Sequence, residues 1–139
     1  MSDPRYLVDT SVLARAHQEP VAARLEELLV HGRLWTCRLV DLEVAFASRA
    51  SSVAEVVEER QAFPEAPITP AVMDRALRTL AELAARNLHR GAKPVDLVIA
   101  AAAEAAGLAV LHYDADFDRI SSVTGQLTQW VSEPGTLDT

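Results

Sequence analysis

The chain has 139 residues, of which 50% are hydrophobic and 24% are charged, and its formal net charge is −7. This length suits one domain with a sizeable buried core, and the composition excludes a disordered protein. The negative charge argues against binding nucleic acid through overall charge. The single cysteine, Cys37, excludes both an internal disulfide and a cysteine-based zinc cluster.

Short apolar segments alternate along the chain with segments of helical periodicity. Helices are predicted over about residues 10–17, 20–31, 39–50, 53–63, 70–90 and 94–106. Strands are predicted at residues 6–8, 34–37, near 68, 108–113 and 127–131. This order predicts an α/β domain with a mainly parallel central sheet of about five short strands, flanked by helices.

The N-terminal segment MSDPRYLVD carries an early acid and no long apolar core, so a secretory signal peptide is not expected. The longest wholly apolar run, residues 97–103, is too short to span a bilayer. These features predict an intracellular, cytoplasmic protein that does not insert into a membrane.

Acidic residues recur where the predicted strands end. Asp9 ends the first strand, and Asp114 ends the strand at 108–113 and is followed by Asp116 and Asp118. Because ligands of parallel sheets bind at the carboxyl ends of the strands, Asp9 and Asp114 are expected to share one functional edge. The later aspartates also suit the first turn of a helix, where the helix dipole favours anions. That explanation accounts for Asp118 but not for Asp9.

Two further acids are predicted on helices near that edge. Glu43 interrupts an apolar stripe, so it either binds a cation or forms a buried ion pair with an arginine. Asp41, two residues away, is predicted to be a solvated charge. Asp96 stands at the start of the Ala-rich helix, where it either compensates the helix dipole or lies over the strand ends.

Four carboxylates that converge on one edge repel each other strongly unless cations offset their charge. Oxygen ligands without cysteine or paired histidines favour Mg²⁺ or Mn²⁺ over zinc. A carboxylate-held metal ion activates water and neutralises charge on a phosphoryl group during in-line displacement. The pattern therefore predicts metal-dependent phosphodiester hydrolysis.

Four motifs carry a resemblance to a known family: LVDTSVL, LVDLEVAFA, KPVDLVIAAAA and HYDADFDRI, in this order. The sequence resembles the PIN-domain ribonucleases and, within them, the VapC-type toxins of bacterial toxin–antitoxin pairs. The resemblance covers about residues 6–131 and implies a single PIN-like domain over residues 1–139.

The resemblance implies an endoribonuclease that uses Mg²⁺, with Mn²⁺ as a substitute, and leaves a 5′-phosphate and a 3′-hydroxyl. Its catalytic acids would be Asp9, Glu43, Asp96, Asp114 and Asp116. Among them Asp9, Asp96 and Asp114 would bind the metal ion. The small polar residue after the first acid, Thr10 or Ser11, would position water or Asp9.

The implied partners are an RNA substrate, with transfer RNA and ribosomal RNA as the implied targets, and a cognate VapB-type antitoxin. The implied assembly is a homodimer that reaches DNA only through the antitoxin. Basic side chains that could contact RNA phosphates are Arg86, Arg90, Lys93 and Arg119. Arg86 and Arg90 equally suit a helix C-terminus. The alternative function is a mainly non-catalytic partner in an antitoxin complex that represses its own promoter.

Overall fold

The computed structural model describes residues 4–138, so the predicted domain limits at residues 1 and 139 lie outside the described residues. The strands are β1 (Tyr6–Val8), β2 (Leu34–Trp35), β3 (Ala109–His112) and β4 (Thr128–Trp130). The α-helices are α1 (Thr10–Leu13), α2 (Glu19–Val30), α3 (Arg38–Phe46), α4 (Val53–Gln61), α5 (Pro70–Ala85), α6 (Pro94–Ala105) and α7 (Asp116–Thr124). A short 3₁₀ turn, Ala50–Ser52, precedes α4.

All strands of the sheet are parallel, in the order β2–β1–β3–β4. The predicted α/β class is confirmed, but residues 4–138 form four strands rather than about five. In place of the strand expected near Ile68, one isolated parallel bridge joins Thr36 to Glu65. Pro64 and Pro67 flank Glu65 and carry no N–H group, so the pairing does not extend into a ladder.

Helices cover both faces of the sheet, and this explains why β1 and β3 are buried along their whole length. Side chains alternate between the faces along each strand. Leu7 and Val110 pack in a cluster with residues of α5 and α6. Val8 and Leu111 pack on the other face in a cluster with residues of α2. Residues Ala100–Ala103 are all buried, so α6 approaches the sheet closely.

The pairing of β1 with β3 fixes which residues meet at the carboxyl edge of the sheet. Val8 is in register with Leu111, and the Asp9 N–H donates to the Leu111 carbonyl at 2.9 Å. The chain therefore leaves both strands at the same level. Asp9 and the segment that follows His112 begin side by side.

A buried ion pair joins α3 to α4. Arg60 Nε donates to Asp41 Oδ1 at 2.9 Å, and Thr36 Oγ1 donates to the same oxygen at 2.8 Å. All three residues are buried. The prediction of a solvated Asp41 is wrong, because the packing of α4 against α3 brings an arginine onto Asp41. The arginine ion pair that was considered for Glu43 is formed by Asp41 instead.

The Arg60→Met variant is expected to lose about 3 kcal/mol of unfolding free energy, because the Asp41 carboxylate stays buried without its main cation. Arg38, which also donates to Asp41 at 2.7 Å, keeps the loss from being larger. Urea denaturation measures the change. The exposed Arg49→Met serves as a control and should shift the value by less than about 0.5 kcal/mol. Equal losses in both variants would contradict the anchoring role of Arg60.

Candidate active site

Three acids form a compact cluster at the carboxyl edge of the sheet. Asp96, Asp114 and Asp116 offer carboxylate oxygens that lie within 4.8 Å of one another, and we call them the carboxylate cluster. Asp96 comes from the first turn of α6, Asp114 follows β3, and Asp116 begins α7. The Asp116 N–H donates to Asp114 Oδ1 at 3.0 Å, which fixes the turn between these two acids.

Asp9 does not belong to that 4.8 Å group, but it lies near enough for its charge to act on Asp96. Its side chain is buried and accepts hydrogen bonds from Ser11 N at 3.0 Å and Ser11 Oγ at 2.6 Å. Ser11 Oγ in turn accepts from the Tyr113 N–H at 2.8 Å. Ser11 therefore connects the end of β1 to the end of β3 and holds Asp9 in place.

Glu43 is held by the neighbouring hydroxyl. Thr10 Oγ1 donates to Glu43 Oε1 at 2.8 Å, and the Glu43 side chain is half-buried on α3. The sequence left open whether Thr10 or Ser11 supports the site. In the structure each hydroxyl positions a different acid: Thr10 holds Glu43, and Ser11 holds Asp9.

The acids differ in their affinity for protons. Burial and the nearby charge of Asp9 raise the pKa of Asp96 to about 8. Partial burial also tends to raise the pKa of Asp116. Hydrogen bonds from Lys93 outweigh this effect and hold the pKa of Asp116 below its ordinary value. Burial also raises the pKa of Asp9, against the hydrogen bonds from Ser11. A cation among these carboxylates would favour their ionised forms.

Of the four basic residues predicted to contact RNA, two lie at the carboxylate cluster. Lys93 Nζ lies 2.9 Å from Asp114 Oδ2 and 2.7 Å from Asp116 Oδ2. Arg119 Nη1 lies 3.7 Å from Asp116 Oδ1. The other two, Arg86 and Arg90, are exposed in the connection between α5 and α6. The structure thus places positive charge beside the acids and along the adjoining segment.

Because the histidines show no metal-ligand spacing, the sequence predicts that His112 is a surface or capping residue, but the structure buries it at the site. It is buried, and its Nδ1 accepts from the Asp114 N–H at 3.2 Å, which fixes the backbone at that acid. Its ring packs near Phe117 and Trp130, at centroid distances of 5.0 and 4.9 Å. Burial lowers the pKa of His112 to about 4, so the ring is neutral at pH 7. The available signal was a histidine inside a wholly apolar strand, where it needs a partner.

The donor set suits a hard divalent cation. All three members of the carboxylate cluster supply oxygen, the ligand type that Mg²⁺ and Mn²⁺ prefer. The buried Asp96 Oδ2 accepts no hydrogen bond within residues 4–138, although Lys93 Nζ lies 3.2 Å away. Burial makes the ionised form of Asp96 unfavourable, in line with its raised pKa, and a divalent cation would offset that cost. Asp96, Asp114 and Asp116 therefore fit such an ion.

Comparison with known proteins places the chain in a family. Residues 6–123 match the PIN domain. The chain belongs to the PIN-domain family. It is 42% identical to Ribonuclease VapC51 of Mycobacterium tuberculosis over 135 residues, covering 96% of this chain and 98% of that protein. It is 39% identical to Ribonuclease VapC21 of the same species over 134 residues, covering 95% and 97%. Within the PIN-domain family the chain therefore falls in the VapC group.

Solved structures share the PIN fold with this chain. A DNA-bound VapBC from Salmonella typhimurium superposes with a TM-score of 0.74 at 19% identity, covering 94% of this chain and 100% of that chain. VapBC-5 from Mycobacterium tuberculosis gives a TM-score of 0.62 at 20% identity, covering 92% and 98%. At these identities the similarity establishes the fold.

Within residues 4–138, no helix combines the length and the apolar character that crossing a bilayer requires.

The two hydroxyl residues of this PIN domain are expected to differ in their effect on stability. Ser11→Ala should lower the unfolding free energy by about 2 kcal/mol, because the buried Asp9 and the Tyr113 N–H each lose a hydrogen-bond partner. Thr10→Ala should cost under about 1 kcal/mol, because Glu43 is more exposed to water. Urea denaturation at pH 7 measures both, with the exposed Ser51→Ala as control. A larger loss for Thr10→Ala would contradict the bridging role of Ser11.

Proposed function

We propose that this PIN domain is a divalent-metal-dependent endoribonuclease toxin that a VapB-type antitoxin neutralises. The observation that carries the proposal is the convergence of Asp96, Asp114 and Asp116 at the carboxyl edge of the sheet. Asp9, whose charge acts on Asp96, and Glu43, whose charge acts on Asp9, also support it. So does the similarity, at 42% and 39% identity over nearly the whole chain, to relatives named ribonucleases.

The chain's own residues divide the work of the reaction. Asp96, Asp114 and Asp116 would hold Mg²⁺ or Mn²⁺, with Asp9 as a further ligand from the adjacent strand. When bound, the ion supplies a polarised water and neutralises charge on the phosphoryl group. Glu43, oriented by Thr10, would accept a hydrogen bond from the attacking water. The product would carry a 5′-phosphate, and the mechanism requires no attack by the 2′-hydroxyl.

Binding of the RNA backbone is proposed to come from the basic residues around the acids. Arg119 is two-fifths exposed at its side chain and lies at the edge of the carboxylate cluster. Arg86 and Arg90 extend this positive surface along the α5–α6 connection. Contacts of this kind orient the strand without reading its bases, so these residues would position RNA for cleavage.

An apolar groove beside the acids supports an antitoxin partner. It has a volume of about 480 Å³ and is lined mainly by Leu39, Leu42, Phe46 and Val95. Phe46 is 90% exposed, which is unfavourable for a helix residue unless a partner covers it. The structural neighbours include VapBC complexes, two of them bound to DNA. We propose that an apolar antitoxin segment covers this groove.

We also propose that the toxin forms a homodimer in the cytoplasm. It would reach DNA only through the antitoxin.

Cleavage of RNA tests the proposed activity. Purified protein without antitoxin should cut total cellular RNA into discrete fragments with 5′-phosphates when Mg²⁺ or Mn²⁺ is present, and EDTA should stop the reaction. Asp96→Asn should lower the rate by at least about 100-fold, because one cluster carboxylate is lost. Asp74→Asn, an exposed acid on α5, is the matched control. Folded protein that cuts no RNA with either ion would favour the alternative of a non-catalytic partner in a promoter-binding complex.

Thermal unfolding tests the metal ion separately from catalysis. Added Mn²⁺ should raise the Tm of the wild type, because it binds the folded cluster and offsets the repulsion between its carboxylates. The rise should be much smaller in Asp116→Asn and unchanged in Asp74→Asn. Sodium chloride at matched ionic strength controls for general screening. The same rise in all three proteins would contradict binding at the carboxylate cluster.

A further inference from the structure

Lys93 places its side-chain ammonium among the carboxylates proposed to hold the metal ion. Its Nζ lies 2.7, 2.9 and 3.2 Å from the Oδ2 atoms of Asp116, Asp114 and Asp96. One cation thus faces every member of the carboxylate cluster. Lys93 is also the only lysine in a chain with 13 lysine and arginine residues in total. The basic group that faces all three acids is a compact ammonium, whereas the planar guanidinium of Arg119 approaches only Asp116.

The backbone fixes Lys93 at this position. Lys93 is the N-cap residue of α6, and its N–H donates to Asp116 Oδ2 at 3.1 Å. Gly91, two residues before Lys93, packs against the Arg119 side chain of α7. A Cβ at position 91 would lie 2.6 Å from Cδ of Arg119. The main chain of Lys93 is therefore held next to the acids by its hydrogen bond to Asp116. The ammonium reaches them without an unusual displacement of the main chain.

The ammonium and a divalent ion would use the same oxygens. A Mg²⁺ ion coordinates carboxylate oxygen at about 2.1 Å, so an ion on Asp116 Oδ2 would lie no more than about 5 Å from Lys93 Nζ. Two cations so close repel each other, and the shared oxygen cannot serve both fully. The Lys93 side chain is 63% exposed, so its ammonium can move into water without crossing the core.

We infer that Lys93 is an internal counter-cation that competes with the divalent ion for Asp96, Asp114 and Asp116. The inference rests on the proposed function, because it assumes that this cluster binds the ion. Lys93 stabilises the three carboxylates until the ion displaces its ammonium. The displaced ammonium stays next to the site on its anchored backbone, where a phosphate group of the RNA is its natural partner. Lys93 is thus a positioning residue that couples metal entry to substrate binding.

Metal affinity without RNA tests the competition. Mn²⁺ binding, measured by the electron paramagnetic resonance signal of the free ion, should be about tenfold tighter in Lys93→Met than in the wild type. Lys93→Arg keeps the charge and should stay closer to the wild-type affinity. Arg78→Met, an exposed arginine on α5, removes the same charge elsewhere and should change the affinity by less than about twofold. Without added metal, Lys93→Met should also unfold at a lower temperature.

The outcomes separate this inference from the proposed function. Equal or weaker Mn²⁺ binding by Lys93→Met would overturn the competition while leaving the metal site intact. Binding by none of the proteins would overturn both the competition and the metal site. Tighter binding by Lys93→Met in a protein that cuts no RNA would support the competition and reject the nuclease.

A second readout follows the ammonium itself. Because Lys93 is the only lysine, acetylation by an amine-reactive ester, located by peptide mass spectrometry, reports on this side chain alone. Adding Mn²⁺ at fixed pH should raise the acetylation rate of Lys93 several-fold, because the ammonium leaves the carboxylates. The rise should be absent in Asp116→Asn. Protection of Lys93 by Mn²⁺ would contradict displacement.

Discussion

The parallel pairing of β1 with β3 is the constraint on which the site depends. Val8 and Leu111 lie in register, so the chain leaves both strands at one level and delivers Asp9 and Asp114 to the same edge. Ser11 then connects the two strand ends through Asp9 and the Tyr113 N–H. Helix α6 adds Asp96, because its run of buried alanines lets it lie close to the sheet. Backbone pairing and helix packing therefore position the acids in spite of their mutual repulsion.

Acidic side chains of this fold are paired with cations of two kinds, and each kind has a different structural role. Asp41 has a permanent, buried partner in Arg60, so this pair joins two helices. The carboxylate cluster has a partner with an exposed side chain, Lys93, which can leave. A buried guanidinium bound through a hydroxyl and a carboxylate is a fixed structural link. A compact ammonium on a solvated stem is suited to exchange.

The sequence was sufficient for the parts of this arrangement that depend on local pattern. Strand ends, helix caps and the order of the four motifs predicted the α/β class and the edge at which Asp9 and Asp114 meet. It was insufficient where the answer depends on packing between distant segments. The partner of Asp41 is 19 residues away on α4, and its position follows from helix packing that periodicity does not encode. The same holds for Lys93. Its position just before a helix suggested RNA binding, whereas in the structure its ammonium contacts Asp114, 21 residues further along the chain.

The bridge made by Ser11 also has a consequence for the timing of synthesis. Ser11 and Tyr113 are 102 residues apart in the chain, and the carboxylate cluster includes a residue still further on, Asp116. Contacts over such separations form late, because they require closure of a long loop. A nascent chain therefore carries no complete site until residue 116 has left the ribosome. For a protein proposed to cut RNA, a chain still being synthesised would therefore lack carboxylates that the reaction needs.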